Sequence, residues 1–201
     1  MGTTRLETFS DGVMAIIITI MVLEMKVPRG DDSLVPLKPL LPIFISYILS
    51  FIYVAIYWNN HHHLLFAAKQ INGKTLWANT HLLFWLSLIP FVSSWMGQND
   101  FTKWTVALYG FVLFMCAVAY YILAQTMARH HGEGSTLHKA INKDTKGKIS
   151  LVIYAIGIGL SFVNPWLGFS MYALVAAMWF MPDRRIERQL NIASTEEEKV
   201  N

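Results

Sequence analysis

Charged residues are scarce in this sequence. Only 14% of its 201 residues are Asp, Glu, Lys or Arg, whereas 54% are hydrophobic. Soluble domains carry about 25% charged residues. The deficit excludes an ordinary soluble domain and predicts a membrane protein.

Catalytic and redox motifs are also missing. The chain has one cysteine, Cys116, inside an apolar stretch, so it can form no intrachain disulfide and contains no CxxC pair. It has no nucleophile–base arrangement and no Gly-rich phosphate loop. Carboxylates are confined to the first predicted span, where Glu7 and Glu24 lie near the ends and only Asp11 lies deeper. These absences argue against an enzyme, and against a proton-coupled pump that relays protons between carboxylates.

Apolar residues are grouped in six segments that are separated by polar or Pro- and Gly-containing stretches. They predict an all-α membrane protein whose six transmembrane helices occupy residues 1–182, followed by a charged cytoplasmic tail at 183–201. The helices are predicted at about residues 4–25, 39–68, 75–96, 103–127, 149–163 and 166–180.

Three of these helices have features that predict how they pack. Pro90 should kink the third helix, which neighbouring helices tolerate in a bilayer. Gly157 and Gly159 should permit close helix contact in the fifth. The fourth helix is the most uniformly apolar, so we expect it at the lipid-facing periphery.

Basic residues predict the orientation of the chain. Six spans put both termini on one side, and twelve of the sixteen Lys and Arg residues fall on that side. The positive-inside rule therefore predicts a multi-pass protein of the cell membrane with cytoplasmic N and C termini. The excess of basic residues on the cytoplasmic side thus accounts for the net charge of +3. No interleaving of aromatic and basic residues suggests a nucleic-acid partner.

The first span is unusually short. Only eleven residues, from Val13 to Leu23, are free of charge. They make about 16 Å of helix at 1.5 Å per residue, against roughly 30 Å of hydrocarbon. To cross the bilayer, the helix must carry charged residues into it, which is costly unless they pair or are sheltered. We therefore expect that this helix does not face lipid.

A branched apolar stripe runs along the same helix. Ile16, Ile20 and Leu23 stand at i, i+4 and i+7, with Thr19 between them. If four copies meet on an axis, each position becomes a ring of apolar side chains, and such rings gate ion paths by dewetting. The same spacing also fits an ordinary packing seam, and the Thr19 hydroxyl can bond its own helix at i−4 or a neighbouring helix.

Polar residues concentrate near the predicted cytoplasmic ends of the first three helices. We interpret them as a network that clamps the first helix to the second and third, with Arg5 and Asp11 as its charged members. Residues that clamp the helix can also take part in ion conduction. The network residues are Arg5, Phe9, Ser10, Asp11, His62, His63, Asn79 and His81.

Three consecutive histidines, from His61 to His63, suggest a metal site. Successive helical positions point about 100° apart, so the three rings cannot converge on one ion without breaking the helix. A metal site would need His81 or another subunit, and a haem held by His62 and His81 is a further alternative. Hydrogen bonding to the first helix is the simpler interpretation, and we expect no cofactor.

The string Arg5-x-x-x-Phe9-Ser10-Asp11, followed by Ile16, Thr19, Ile20 and Leu23, resembles the signature of the transmembrane-protein-175 family of potassium channels. The His-bearing second helix, Asn79 and Pro90-Phe91 are also similar, so the resemblance covers helices one to three.

The resemblance implies a potassium-permeable, leak-type channel without a carbonyl-lined TVGYG filter. It places the constriction on Ile16, with Ile20 and Leu23 further along the pore, and a selectivity-linked hydroxyl layer on Thr19. A chain with a single six-span unit implies a homotetramer in the lipid bilayer. Glu24 at the outer mouth could concentrate potassium ions.

A secondary transporter with the same spans is the alternative function. It would show saturable, slow flux of a bound substrate. A His-based metal or haem membrane protein is a further alternative.

Overall fold

The structure is a computed structural model, and it describes residues 2–27, 34–68, 70–131 and 144–180. Within these ranges the regular structure is entirely helical. This result confirms the all-α fold class. The predicted tail at 183–201 lies outside the described residues, as do the loop residues 28–33 and 132–143.

Seven α-helices and one short 3₁₀ helix make up the described part of the chain. α3 and α4 follow one another directly, so the helices form six rods, as the hydropathy pattern predicts. The bounds are Thr4–Leu23 for α1, Val35–Leu40 for the 3₁₀ helix, Leu41–Phe66 for α2, Gly73–Ser87 for α3, Ile89–Gln98 for α4, Lys103–His131 for α5, Thr145–Ser161 for α6 and Pro165–Phe180 for α7.

Four of the rods are long and apolar enough to cross a bilayer. They are Thr4–Leu23, Val35–Phe66, Gly73–Gln98 and Lys103–His130. α7 is a shorter apolar helix of 16 residues, and α6 has 17 residues. Together these helices support a multi-pass membrane protein.

Local signals explain where individual helices begin. Pro90 stands in the first turn of α4. Because proline lacks a backbone N–H, it interrupts the predicted third helix, and the break between α3 and α4 lies at Leu88. α6 begins at Thr145, four residues earlier than the prediction of 149, because the Asp144 carboxylate caps it by accepting a 2.8 Å hydrogen bond from the Gly147 N–H.

α5 packs against α3, α4, α6 and α7, so the prediction that the fourth span lies at the periphery is wrong. Only one side of it, with Phe111 and Ile122, is exposed. Tyr109, Leu113, Cys116 and Leu123 on this helix are all buried. A helix that is apolar all round is suited to protein neighbours and to lipid alike, so composition cannot decide between them.

Tyr172 on α7 packs tightly against two glycines of neighbouring helices. A Cβ added at Gly110 of α5 would overlap the Tyr172 hydroxyl, and one added at Gly157 of α6 would lie 2.6 Å from Cε1 of the same ring. The predicted close contact at Gly157 is therefore confirmed. The one predicted at Gly159 is wrong, because a Cβ there meets nothing within 4 Å.

This packing predicts different effects of two glycine substitutions. Gly110→Ala should lower the stability of the detergent-solubilised protein by about 1–3 kcal/mol, because the added methyl group overpacks the contact with Tyr172. Gly159→Ala is the matched control and should leave the melting temperature unchanged or raise it, since alanine favours helix over glycine. Thermal melts that are equal for the two variants would contradict this account of the core.

Candidate functional site

α1 has one face buried against the rest of the chain. The buried residues follow a single stripe along the helix and contact α2, α3 and α4. They are Leu6, Ser10, Met14, Ile17 and Met21. The opposite face of the helix is therefore left without neighbours within one chain.

The predicted constriction residues lie on that unpartnered face. Ile16 is 59% exposed, Ile20 43% and Leu23 72%. Thr19 is also exposed, and so are Thr8, Gly12 and Ala15. These residues consequently form no packing seam inside a single chain.

The hydroxyl of Thr19 is bonded to its own helix. Its Oγ1 donates to the Ala15 carbonyl at 2.9 Å. This is the first of the two arrangements that the sequence allowed. Because the hydroxyl hydrogen is used in this bond, the oxygen keeps its lone pairs as acceptors on the exposed face.

A chain of buried hydrogen bonds joins α1 to α3 and α2. The Asn79 side-chain amide donates to Ser10 Oγ at 2.9 Å, and Ser10 Oγ donates to the Leu6 carbonyl at 2.8 Å. His61 Nε2 lies 2.7 Å from Asn79 Oδ1, and since that oxygen accepts, Nε2 is the donor. Ser10, His61 and Asn79 are each at most 1% exposed.

A second pair of contacts joins α1 to α2 alone. Asp11 Oδ1 accepts a 3.0 Å hydrogen bond from Trp58 Nε1, and Glu7 Oε1 lies 3.0 Å from His62 Nδ1. Both pairs are partly exposed, so each contributes little to stability by itself. Together they hold the flank of α1 that faces α2.

The structure brings four of the eight predicted network residues into contact across helices: Ser10, Asp11, His62 and Asn79. Arg5 and Phe9 lie on the exposed face of α1, and Phe9 is 60% exposed. His63 packs edge-on against His62, with ring centroids 5.7 Å apart. His81 accepts a 3.0 Å bond from Trp85 Nε1 on its own helix.

Two network members, Glu7 and Trp58, were missed by the sequence prediction, whereas His61 was considered there only as one of three histidines that bond to the first helix. A spacing signal was present for both missed residues. Glu7 and Asp11 stand four residues apart on α1, and Trp58 and His62 stand four apart on α2. Residues at this spacing share a helix face, so two such pairs can meet when the helices pack antiparallel.

The other end of α1 is tied to α4. Ser94 Oγ donates to Glu24 Oε2 at 2.9 Å, and Gln98 Nε2 donates to Ser94 Oγ at 2.8 Å. Ser94 and Gln98 carry no motif that would have identified them, because this contact depends on how α4 packs against α1.

The histidines do not form a metal centre within the part of the chain that the structure describes. There, no group of three or more His, Cys, Asp or Glu side chains is arranged to hold a metal ion. His61 instead donates to Asn79, and His62 lies beside Glu7.

Comparisons with known proteins agree with the motif on α1. A family model described as endosomal/lysosomal potassium channel TMEM175 matches residues 5–90. That range runs from the start of α1 to the first turn of α4. It includes every contact of the buried chain through Ser10, Asn79 and His61.

Two curated relatives match over most of their length. A potassium channel of Chryseobacterium sp. strain P1-3 is 54% identical over 186 residues, which cover 92% of this chain and 96% of that protein. A potassium channel of Streptomyces collinus is 26% identical over 182 residues, which cover 86% of this chain and 88% of that protein.

A solved structure shows the same fold. The crystal structure of a lysosomal potassium-selective channel TMEM175 homologue from Chamaesiphon minutus superposes with a TM-score of 0.78 at 24% identity, covering 89% of this chain and 96% of that one. The identity over nearly the whole chain to the first relative establishes kinship. The chain therefore belongs to the TMEM175 family, which is a family of ion channels and not of enzymes.

Proposed function

We propose that this protein is a potassium-permeable, cation-selective leak channel in which four copies of the chain surround a central pore lined by α1. The observation that carries the proposal is the exposed edge formed by Ile16, Thr19, Ile20 and Leu23 on a helix whose other face is buried. The names of the curated relatives, which are potassium channels, support the choice of ion.

The exposed face of α1 supports assembly of several copies of the chain into a ring. One helix cannot enclose a water path, whereas a closed ring of identical subunits can. The exposed face of α1 also bears Arg5, Thr8 and Thr19. Charged and polar groups of a spanning helix are stabilised by facing a bundle interior or water instead of lipid. A ring with α1 at its centre provides that environment.

Branched apolar side chains form the constriction. In a fourfold ring, Ile16, Ile20 and Leu23 each supply four aliphatic side chains around the axis. Water is unstable in a narrow apolar passage, so these rings gate by dewetting. Ion flow then depends on how wide the rings are and on how polar they are.

Thr19 supplies the polar layer between these rings. Its hydroxyl hydrogen is engaged by the Ala15 carbonyl, so the exposed oxygen acts as an acceptor. Four such oxygens around the axis can replace part of the hydration shell of a cation. This layer gives the pore its preference for potassium over sodium.

The buried chain through Ser10, Asn79 and His61 holds α1 at a fixed rotation, so that the aliphatic edge stays on the axis. Buried hydrogen bonds in a low-dielectric interior are costly to break, which favours one rotation over others. By the positive-inside rule, this end of α1 and both termini are cytoplasmic, and the protein lies in the cell membrane.

Wetting the constriction should increase the leak. Ile16→Asn replaces four aliphatic side chains per pore by amides, so water enters and single-channel current in planar bilayers should rise several-fold. Ile156→Asn is the matched control, because Ile156 is 51% exposed on α6 but lies away from α1. An unchanged current in Ile16→Asn would count against the constriction.

Removing the hydroxyl layer should weaken selectivity. Thr19→Ala should move the reversal potential towards zero with potassium on one side of the membrane and sodium on the other. Thr126→Ala provides the control, since Thr126 makes the same bond to its own helix, to the Ile122 carbonyl at 2.7 Å, on α5. If both variants keep the wild-type reversal potential, Thr19 has no part in selectivity.

Flux and single-channel measurements on the reconstituted wild-type protein distinguish a channel from a transporter. A channel gives potassium flux that exceeds sodium flux, together with discrete single-channel steps. Slow, saturable counterflow without such steps would contradict the proposed channel.

A further inference from the structure

α6 and α7 form a hairpin that is short for a bilayer. α6 has 17 residues and α7 has 16, which make about 25 Å and 24 Å of helix at 1.5 Å per residue. The apolar part of α6 begins only at Ile149, after Lys146 and Lys148, and is about 20 Å long. These lengths fall short of the roughly 30 Å of hydrocarbon in a typical bilayer.

The contacts of α5 show that the hairpin ends before its neighbour does. Near the start of α5, Trp104 packs edge-on against Phe162 in the turn between α6 and α7, with ring centroids 4.9 Å apart. Further along, Tyr121 of α5 lines the same small cavity as Ser150 of α6. α5 then continues for ten residues, about 15 Å, to His131. The hairpin therefore covers only part of the length of α5.

Side chains typical of the membrane–water interface lie at both ends of α7. Trp166 at its start is 53% exposed. Near its end, Trp179 Nε1 donates to Ser150 Oγ at 2.8 Å, and Lys146 Nζ lies 5.9 Å from the centre of the Trp179 ring. Tryptophan and lysine favour the interface. The two tryptophans are thirteen residues apart, so the apolar layer between them is about 20 Å thick.

The rod formed by α3 and α4 has a wider spacing of such side chains. Trp77 and Trp95 are exposed on it and stand eighteen residues apart, which is about 27 Å of helix. This distance is close to the thickness of the hydrocarbon layer. The two sides of the protein therefore fit bilayers of different thickness.

The outer face of the hairpin is apolar and lies away from α1. No Asp, Glu, Lys or Arg occurs from Ile149 to Phe180. α6 packs against α5 and α7, whereas α1 packs against α2, α3 and α4. The exposed aliphatic side chains of the hairpin are Ile149, Val152, Ile156, Leu167 and Leu174. Such a face suits the acyl chains of lipids.

We propose that the α6–α7 hairpin binds phospholipids with short acyl chains, so that the bilayer is thinner beside it than beside the rod of α3 and α4. A bilayer adapts to a short apolar segment by becoming thinner, and lipids with short chains form a thin layer without being compressed. The proposal depends on the membrane-spanning fold and not on ion conduction.

Competition between two lipids at a reporter on α6 tests the proposal. In the Cys116→Ala background, Ile156→Cys is labelled with bimane, and the full chain is reconstituted in equal parts of dimyristoleoyl and dierucoyl phosphatidylcholine. Each lipid in turn is brominated, because bromine quenches a neighbouring fluorophore. Quenching is normalised to bilayers of each brominated lipid alone. The short-chain lipid should then quench about twofold or more better than the long-chain lipid.

Two lysine substitutions test whether the length of α6 sets this preference. Lys148→Leu extends the apolar part of α6 by about 3 Å, so the preference should move towards the longer lipid. Lys74→Leu is the matched control, because Lys74 is also an exposed lysine in the first turn of its helix but belongs to the longer rod of α3 and α4. This control should keep the wild-type preference.

Three results would overturn the proposal. One is equal quenching by the two lipids in the unsubstituted reporter protein. Another is a preference that changes equally in Lys148→Leu and Lys74→Leu, or in neither. The third is an absence of quenching by both lipids, because that result would show that a second copy of the chain covers the hairpin.

Discussion

The hydrogen bond between Asn79 and Ser10 determines which face of α1 points away from the protein. It is buried, and it is extended by the bond from His61 to Asn79, so three helices meet in one polar contact. Turning α1 away from this position would leave these groups unpaired in an apolar interior, at a cost of about 1–3 kcal/mol each. The exposed edge of the helix is therefore fixed by what its opposite face bonds to.

α1 is held by different chemistry at its two ends. At the N-terminal end, Asp11 and Glu7 contact Trp58 and His62 on α2. At the C-terminal end, Glu24 contacts Ser94 on α4. Between these ends the contacts of α1 are mostly apolar, and its opposite side is exposed within one chain. A short helix with charges near both ends thus becomes stable in a protein-lined environment.

The sequence predicts the fold well but predicts helix rotation less well. The motif on α1 identified Ser10 and Asp11, and Asn79 was recognised as a partner on α3. Among the three histidines, however, only one can point inward, because consecutive positions differ by about 100°. α2 is apolar over most of its length, so its pattern does not reveal that His61 is the buried one.

Contacts that depend on tertiary packing were beyond sequence reasoning. Ser94 lies seventy residues from Glu24 in the chain, and no local pattern relates the two. Similarly, the uniform apolarity of α5 fits a lipid-facing helix and a central helix equally, and only its neighbours show that it is central.

The proposal that the aliphatic edge of α1 lines the ion path can be tested because Cys116, the single cysteine, is buried and can be replaced by alanine. In the Cys116→Ala background, a charged, membrane-impermeant thiol reagent should alter potassium current through Leu23→Cys but not through Val152→Cys, whose site on α6 is 59% exposed. Potassium current that does not change after Leu23→Cys has been labelled would contradict the account.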